Sequence, residues 1–285
     1  MEIKNSILTK IAILVDGDNA QPKALKAILE EVTRYGKVTI RRIYGDWTSA
    51  GMSGWKDILN ELSFNPIQKF SYTTGKNSTD GALIIDAMDI LHDKTVDGFC
   101  IVSSDSDFTG LAKRIREEGI FVMGVGRKTT PTAFIKSCEV FTFVENLLSD
   151  AEKEPAVVAV VPEPGNSSPI KTISPKTASK TKTKTDTKPA AKSSTDKNKT
   201  TGTKSSIVPP NVIKLLNKAF DSVVNESEEA HISALGSALQ RLDPSFDSRT
   251  YGYSSLSKFL KAVDIFTIKD NRNNGLNHPV LRRKK

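Results

Sequence analysis

At 285 residues the chain has length for about two domains. Its hydrophobic content of 38% is low for a chain buried throughout, so one part is expected to lie outside any core. The formal net charge of +8 is unevenly spread. Residues 1–165 hold 19 Lys+Arg against 23 Asp+Glu, residues 166–206 hold 10 against 2, and residues 207–285 hold 12 against 8. The N-terminal part is therefore mildly acidic, and the basic balance belongs to the middle and the tail. No apolar run reaches the roughly 20 residues of a membrane span, and the first residues lack a signal-peptide pattern, so a cytoplasmic protein is expected. Cys100 and Cys138 form no Cys-x-x-Cys motif and read as reduced core residues; His92, His231 and His278 stand apart, which argues against zinc.

In chain order, Lys10 to Val15 is the first buried strand, running into Asp16-Gly17-Asp18-Asn19. Pro22 opens a helix through Leu25, Ile28, Leu29 and Val32, which Gly36 is expected to end. Val38 to Tyr44 is a second strand, Trp55 to Leu62 a short helix, and Phe64 to Tyr72 a third strand interrupted by Pro66. A polar loop, Thr73 to Thr79, leads into a helix from Asp80 to His92. Phe99 to Val102 is a fourth buried strand; Phe108 to Glu118 is an amphipathic helix with Phe108, Leu111, Ala112 and Ile115 on one face. Ile120 to Val125 is the fifth strand, Phe134 to Ser137 a helical turn, and Val140 to Val144 the last strand. Strands alternating with helices at this spacing predict an α/β fold with a parallel, doubly wound sheet over residues 1–150.

Between 151 and 206 the periodicity dissolves into Lys, Thr, Ser and Pro, the composition of a disordered linker. Three helical stripes return from 207 to 285, around Leu216, Leu239 and Leu260, followed by two short strands at Ile265–Ile268 and Pro279–Arg282. Three helices and a hairpin suggest a winged helix-turn-helix.

Acids gather at predicted strand ends. Asp16 follows the first strand, Asp105 and Asp107 follow the fourth, and Asp80 begins a helix after a polar loop. One Asp caps a helix commonly. Two of them beside Ser103, Ser104 and Ser106 exceed what a cap needs. If the sheet reverses its strand order between the first and fourth strands, these carboxylates converge in the crevice where open sheets bind ligands. Their repulsion calls for a cation, and an all-oxygen set without His or Cys selects Mg²⁺ or Mn²⁺. Asp86 lies about 600° along the helix from Asp80, on another face. A phosphatase of the haloacid-dehalogenase type also begins with Asp-x-Asp after a first strand, but wants Thr or Val where this chain has Ala20. Gly75-Lys76-Asn77-Ser78 is not a P-loop, because Lys76 lacks the following Ser or Thr.

Val15 to Asn19, Lys76 to Asp80, Asp86 and Ser103 to Phe108 together resemble the NYN family of PIN-like metal-dependent nucleases, over roughly residues 8–147. The resemblance implies a compact α/β sheet, Mg²⁺ or Mn²⁺, and cleavage of RNA. It also implies that Asp16, Asp80, Asp105 and Asp107 form the catalytic, metal-binding site, with Asn19, Ser104 and Asp86 supporting. The chain departs from the family in spacing Lys76 and Asp80 four apart and in placing Ser104 where glycine is usual. Residues Ala234 to Phe246 and Tyr251 to Leu260 resemble the OST-HTH/LOTUS domain, over about 207–283, which implies binding of RNA or of a protein partner. Two readings of this part stand. Arg249, Lys258, Lys261, Lys269 and Arg272 beside exposed Tyr251 and Tyr253 would grip single-stranded RNA; alternatively the tyrosines are core and the lysines a solvated face. For the whole chain, a ribonuclease with a tethered RNA-binding domain leads, and a non-catalytic RNA-binding or adaptor protein is its rival.

Overall fold

The apolar, β-branched run expected to start the fold forms β1 (Leu8–Asp16), buried from Ile11 to its end. Our computed structural model describes residues 8–70, 78–151, 208–270, 272–273, 276–277 and 279–284. The expected linker lies outside these residues except for Ala151, as does most of the loop at Thr73–Thr79.

Five further strands join β1: β2 (Gly36–Gly45), β3 (Asn65–Gln68), β4 (Gly98–Val102), β5 (Phe121–Gly126) and β6 (Val140–Phe143). They make one parallel sheet in the order β3-β2-β1-β4-β5-β6. The predicted reversal between the first and fourth strands is present: Val15 pairs in register with Val102, so both strands end at the same level. Alternation along β1 divides the core in two. Ile11, Ile13 and Val15 face α1 (Leu25–Thr33), α2 (Lys56–Glu61) and α6 (Val144–Ala151), packing with Leu25, Leu59 and Leu147. Ala12 and Leu14 face α3 (Ser78–His92), α4 (Phe108–Glu117) and α5 (Thr132–Ser137), packing with Leu83, Leu111 and Phe134. Each such side chain contributes roughly 1.5–3 kcal/mol on burial, so the central strands are held from both faces and their carboxyl ends are fixed platforms.

Several boundaries differ from expectation: the third strand spans Asn65–Gln68 rather than Phe64 to Tyr72, and the helix expected from Asp80 starts at Ser78. Gly36 does not end α1 but begins β2, where a Cβ would stand 2.3 Å from the Leu8 carbonyl oxygen; only glycine allows that approach. The last strand stops at Phe143, and Val144 opens α6, an amphipathic helix that the sequence reading did not separate from the strand.

In the C-terminal part, α7 (Pro210–Asp221), α8 (Ile232–Leu242) and α9 (Leu256–Val263) enclose Leu216, Leu239, Phe259 and Leu260. A three-stranded antiparallel sheet closes them, in the order β7 (Glu229–His231), β11 (Val280–Arg283), β8 (Phe266–Lys269). The pair β9 (Arg272–Asn273) and β10 (Leu276–Asn277) forms a hairpin between β8 and β11. The strand β7 was not expected, since Glu229-Ala230-His231 has no strand pattern and is ordered by pairing with β11.

The N- and C-terminal segments pack into one unit. Arg249 donates from Nη2 to Glu31 Oε1 at 2.7 Å and from Nη1 to Glu31 Oε2 at 3.1 Å, while its Nε reaches Asp247 Oδ2 at 2.8 Å. Asn146 donates to Thr250 Oγ1 at 2.9 Å, and the Phe141 N–H of edge strand β6 donates to the Pro244 carbonyl at 2.8 Å, covering part of an otherwise open edge. The Tyr35 carbonyl accepts from the Leu8 N–H, tying the segment after α1 to the start of β1.

Candidate active site

At the carboxyl edge, β1 ends on Asp16, which is 1% exposed. Gly17 follows with a backbone packed so closely against β2 that a Cβ would lie 2.7 Å from the Tyr44 carbonyl oxygen. The turn folds back on Asp16, whose Oδ1 accepts the N–H groups of Asp18 at 3.2 Å and Asn19 at 3.3 Å. Its Oδ2 accepts from Asn19 Nδ2 at 2.9 Å and from Ser103 Oγ at 2.8 Å. Burial still pushes this carboxyl above the usual carboxylate range, against the lowering effect of those hydrogen bonds.

Three other carboxylates meet in front of it. Asp80 in the first turn of α3, and Asp105 and Asp107 between β4 and α4, each bring an oxygen within 4.8 Å of the other two. Asp80 has its pKa pushed up to about 6, first by desolvation and then by the charges of Asp16, Asp105 and Asp107. That rise reflects the loss of water around Asp80 first, and repulsion among the neighbouring carboxylates second. Helix capping does not account for the pair after β4: Asp107 occupies the N-cap of α4 without a side-chain capping bond, and Asp105 Oδ1 accepts the Asp107 N–H at 3.0 Å.

The supporting residues are distributed differently from expectation. Asn19 meets Asp16, but the serine on Asp16 is Ser103; Ser104 Oγ instead accepts the Arg127 N–H at 2.9 Å. Arg127, which sequence reasoning overlooked, also donates from Nη2 to the Asn19 carbonyl at 3.1 Å, tying the loop after β5 to that after β1. Asp86 stands apart from the cluster and binds Arg42 and the Tyr44 hydroxyl, joining α3 to β2. Burial and this carboxylate push the Tyr44 phenol well above its ordinary value. Lys76 lies outside the described residues.

In the C-terminal part the alternative reading of the aromatics fits the packing. Tyr251 stacks on Phe259 with centroids 5.1 Å apart, and Tyr253 meets the same ring edge-on at 5.5 Å; both are half-buried rather than presented to solvent. Arg249 is committed to Glu31 and Asp247 and is not an exposed phosphate contact. Lys258 and Lys261 on α9, and Lys269 on β8, are exposed, with Lys269 3.7 Å from Glu229. The side chain of Arg272 lies outside the described residues. Cys100 and Cys138 are both buried and free, and burial pushes Cys138 up to about 12. Among the described residues no helix is long and apolar enough to cross a membrane.

No curated protein matches the chain significantly. Among solved structures, a protein of unknown function from Vibrio parahaemolyticus is 23% identical over 50% of this chain and 96% of its own, with a TM-score of 0.41. An uncharacterized protein from Nitrosomonas europaea is 28% identical over 34% of this chain and 92% of its own, at 0.26. A Chromobacterium violaceum fragment is 35% identical over 25% of this chain and 78% of its own, at 0.23. The family models agree with the motifs at the two ends of the chain: residues 10–148 match the NYN domain and residues 204–278 the OST-HTH/LOTUS domain. The chain thus carries an NYN domain followed by a C-terminal OST-HTH/LOTUS domain.

Proposed function

We propose that the chain is a divalent-metal-dependent ribonuclease that holds single-stranded RNA partly through its C-terminal domain. The observation that carries this reading is the convergence of Asp80, Asp105 and Asp107 within 4.8 Å, in front of buried Asp16. Four carboxylates without His or Cys are a donor set for Mg²⁺ or Mn²⁺. Asp80, Asp105 and Asp107 would hold the ion, with Asp16 as the fourth negative charge behind them. Such an ion, when bound, supplies water activation and charge stabilisation for phosphodiester hydrolysis. Asp16, locked by Asn19 and Ser103, keeps the β1 and β4 ends at one separation. Arg127 braces the same two loops from the β5 side.

Because a bare carboxylate site repels phosphate, substrate is better gripped elsewhere, and exposed Lys258, Lys261 and Lys269 supply such a surface. The test is cleavage of a labelled single-stranded RNA in Mn²⁺. Activity should vanish in EDTA and fall at least 100-fold in Asp105→Asn, which keeps size and hydrogen bonding but removes a charge. RNA binding without cleavage under any divalent ion would favour the adaptor reading. Release of phosphate from small phosphomonoesters, with RNA intact, would favour the phosphatase.

A further inference from the structure

A cavity of about 230 Å³ lies beside the carboxylates, on the α1 and α6 side of the sheet, and the chemistry proposed above does not use it. We propose that it receives the base of a nucleotide next to the scissile phosphate, an inference that rests on the ribonuclease reading of the neighbouring acids.

Position is the first argument. Asn19 and Ser103, which bond Asp16, also line this cavity, so its occupant sits one side chain away from the acidic site. Size is the second. The volume is below the roughly 300–1,000 Å³ of sites for drug-sized molecules. It equals about eight water volumes at roughly 30 Å³ each, which suits one planar ring system and excludes a helix or a folded segment.

Chemistry is the third argument. Ala20, Val102, Val125 and Leu148 give aliphatic walls, which would welcome the faces of a base and reject a hydrated cation. Among the described residues no aromatic ring lines the cavity, and exposed Arg127 in its lining is a planar group on which a base can stack. Its guanidinium is held by the Asn19 carbonyl and its own N–H by Ser104, which fixes its position before ligand arrives. Exposed Arg127 and Lys23 in the lining, beside one acid, Glu145, also bring positive charge near the carboxylates, where the attached phosphates must pass. A base can enter only when it is unstacked, which makes single-stranded RNA the substrate class.

The experiment uses the full chain and a 12-nucleotide, fluorescein-labelled RNA in which one abasic position is walked along the strand. Binding is read by anisotropy in Ca²⁺, and cleavage in Mn²⁺. One position should show binding weakened about 5- to 150-fold, the range for loss of one stacked base. Ala20→Leu, which fills the cavity from a partly exposed position, should erase that sensitivity. Arg127→Gln should reduce it, and decides the matter if circular dichroism shows Ala20→Leu misfolded. Equal binding at every position, or sensitivity that persists in the folded Ala20→Leu protein, overturns the pocket. Cleavage without any sensitive position overturns the pocket and leaves the nuclease standing. A sensitive position without cleavage overturns the nuclease and leaves the pocket. Tight binding of a free mononucleotide, with RNA ignored, overturns both.

Discussion

Replacing Asp80 with Asn should stabilise the metal-free protein while removing a group that the proposed chemistry needs. Two unit charges 4.8 Å apart repel by about 0.9 kcal/mol in a medium like bulk water and about 3.5 kcal/mol at an effective dielectric near 20. Asp80 faces two such partners in its cluster, Asp105 and Asp107. Asp107 is exposed, so solvent and salt move the answer toward the lower figure. Against the gain stands the loss of an acid in the first turn of α3, roughly 0.3–1 kcal/mol of helix-dipole interaction. The net expectation is a gain of about 1–3 kcal/mol for Asp80→Asn at pH 7 without metal. The sign with pH follows from the raised pKa. In the folded state Asp80 takes up a proton at about 6, against an ordinary value of 3.8. The repulsion is therefore absent below the lower value and fully present above the higher one, and the advantage of Asp80→Asn should shrink between pH 7 and pH 5. Urea denaturation at both pH values, with and without Mn²⁺, measures this. Mn²⁺ at 100 times its Kd should add about 2.7 kcal/mol to the wild type and much less to the variant. A variant less stable than wild type at pH 7, an advantage unchanged at pH 5, or equal stabilisation of both by Mn²⁺ would refute the reasoning.

Arg249→Met should cost about 3 kcal/mol, the lower end of the range for breaking a buried pair, because it removes the bidentate partner of Glu31, whose side chain is 6% exposed, while the Arg34 ion pair at 3.0 Å remains. Urea melts of Arg249→Met and of Arg249→Met with Glu31→Leu test this, with the double variant recovering most of the loss; a single-variant cost under about 1 kcal/mol would show the pair to be incidental. Trypsin should cut first among the ten lysines of residues 166–206, yet the two products should co-elute on gel filtration, since the segments they contain pack as one unit. Separate elution would count against that packing. Lys258→Gln with Lys261→Gln should lower the slope of log RNA affinity against log salt by about 1.4, at roughly 0.7 per phosphate contact. An unchanged slope in a salt titration would take α9 out of the RNA surface.

Local composition was enough for much of the architecture. Short apolar runs such as Phe99–Val102 announced strands buried on both faces, amphipathic spacing announced α4, and abrupt acids after those runs placed Asp16, Asp105 and Asp107 at one edge. Such signals are legible because burial and periodicity act within one element. The sequence reading missed α6 because its eight residues follow a strand with no turn residue between, although Val144, Leu147 and Leu148 keep helical spacing, and β7 is ordered by pairing with β11. Partner choice lay beyond local pattern altogether. Nothing near Asp86 shows that it will bind Arg42 and Tyr44, nor near Arg249 that Glu31, 218 residues away, will claim it. Ser103 and Ser104 are chemically alike and adjacent; backbone direction at the end of β4 turns one toward Asp16 and the other toward Arg127. Chain chemistry can mark which side chains are able to pair, but which of them meet is set by how separate elements pack.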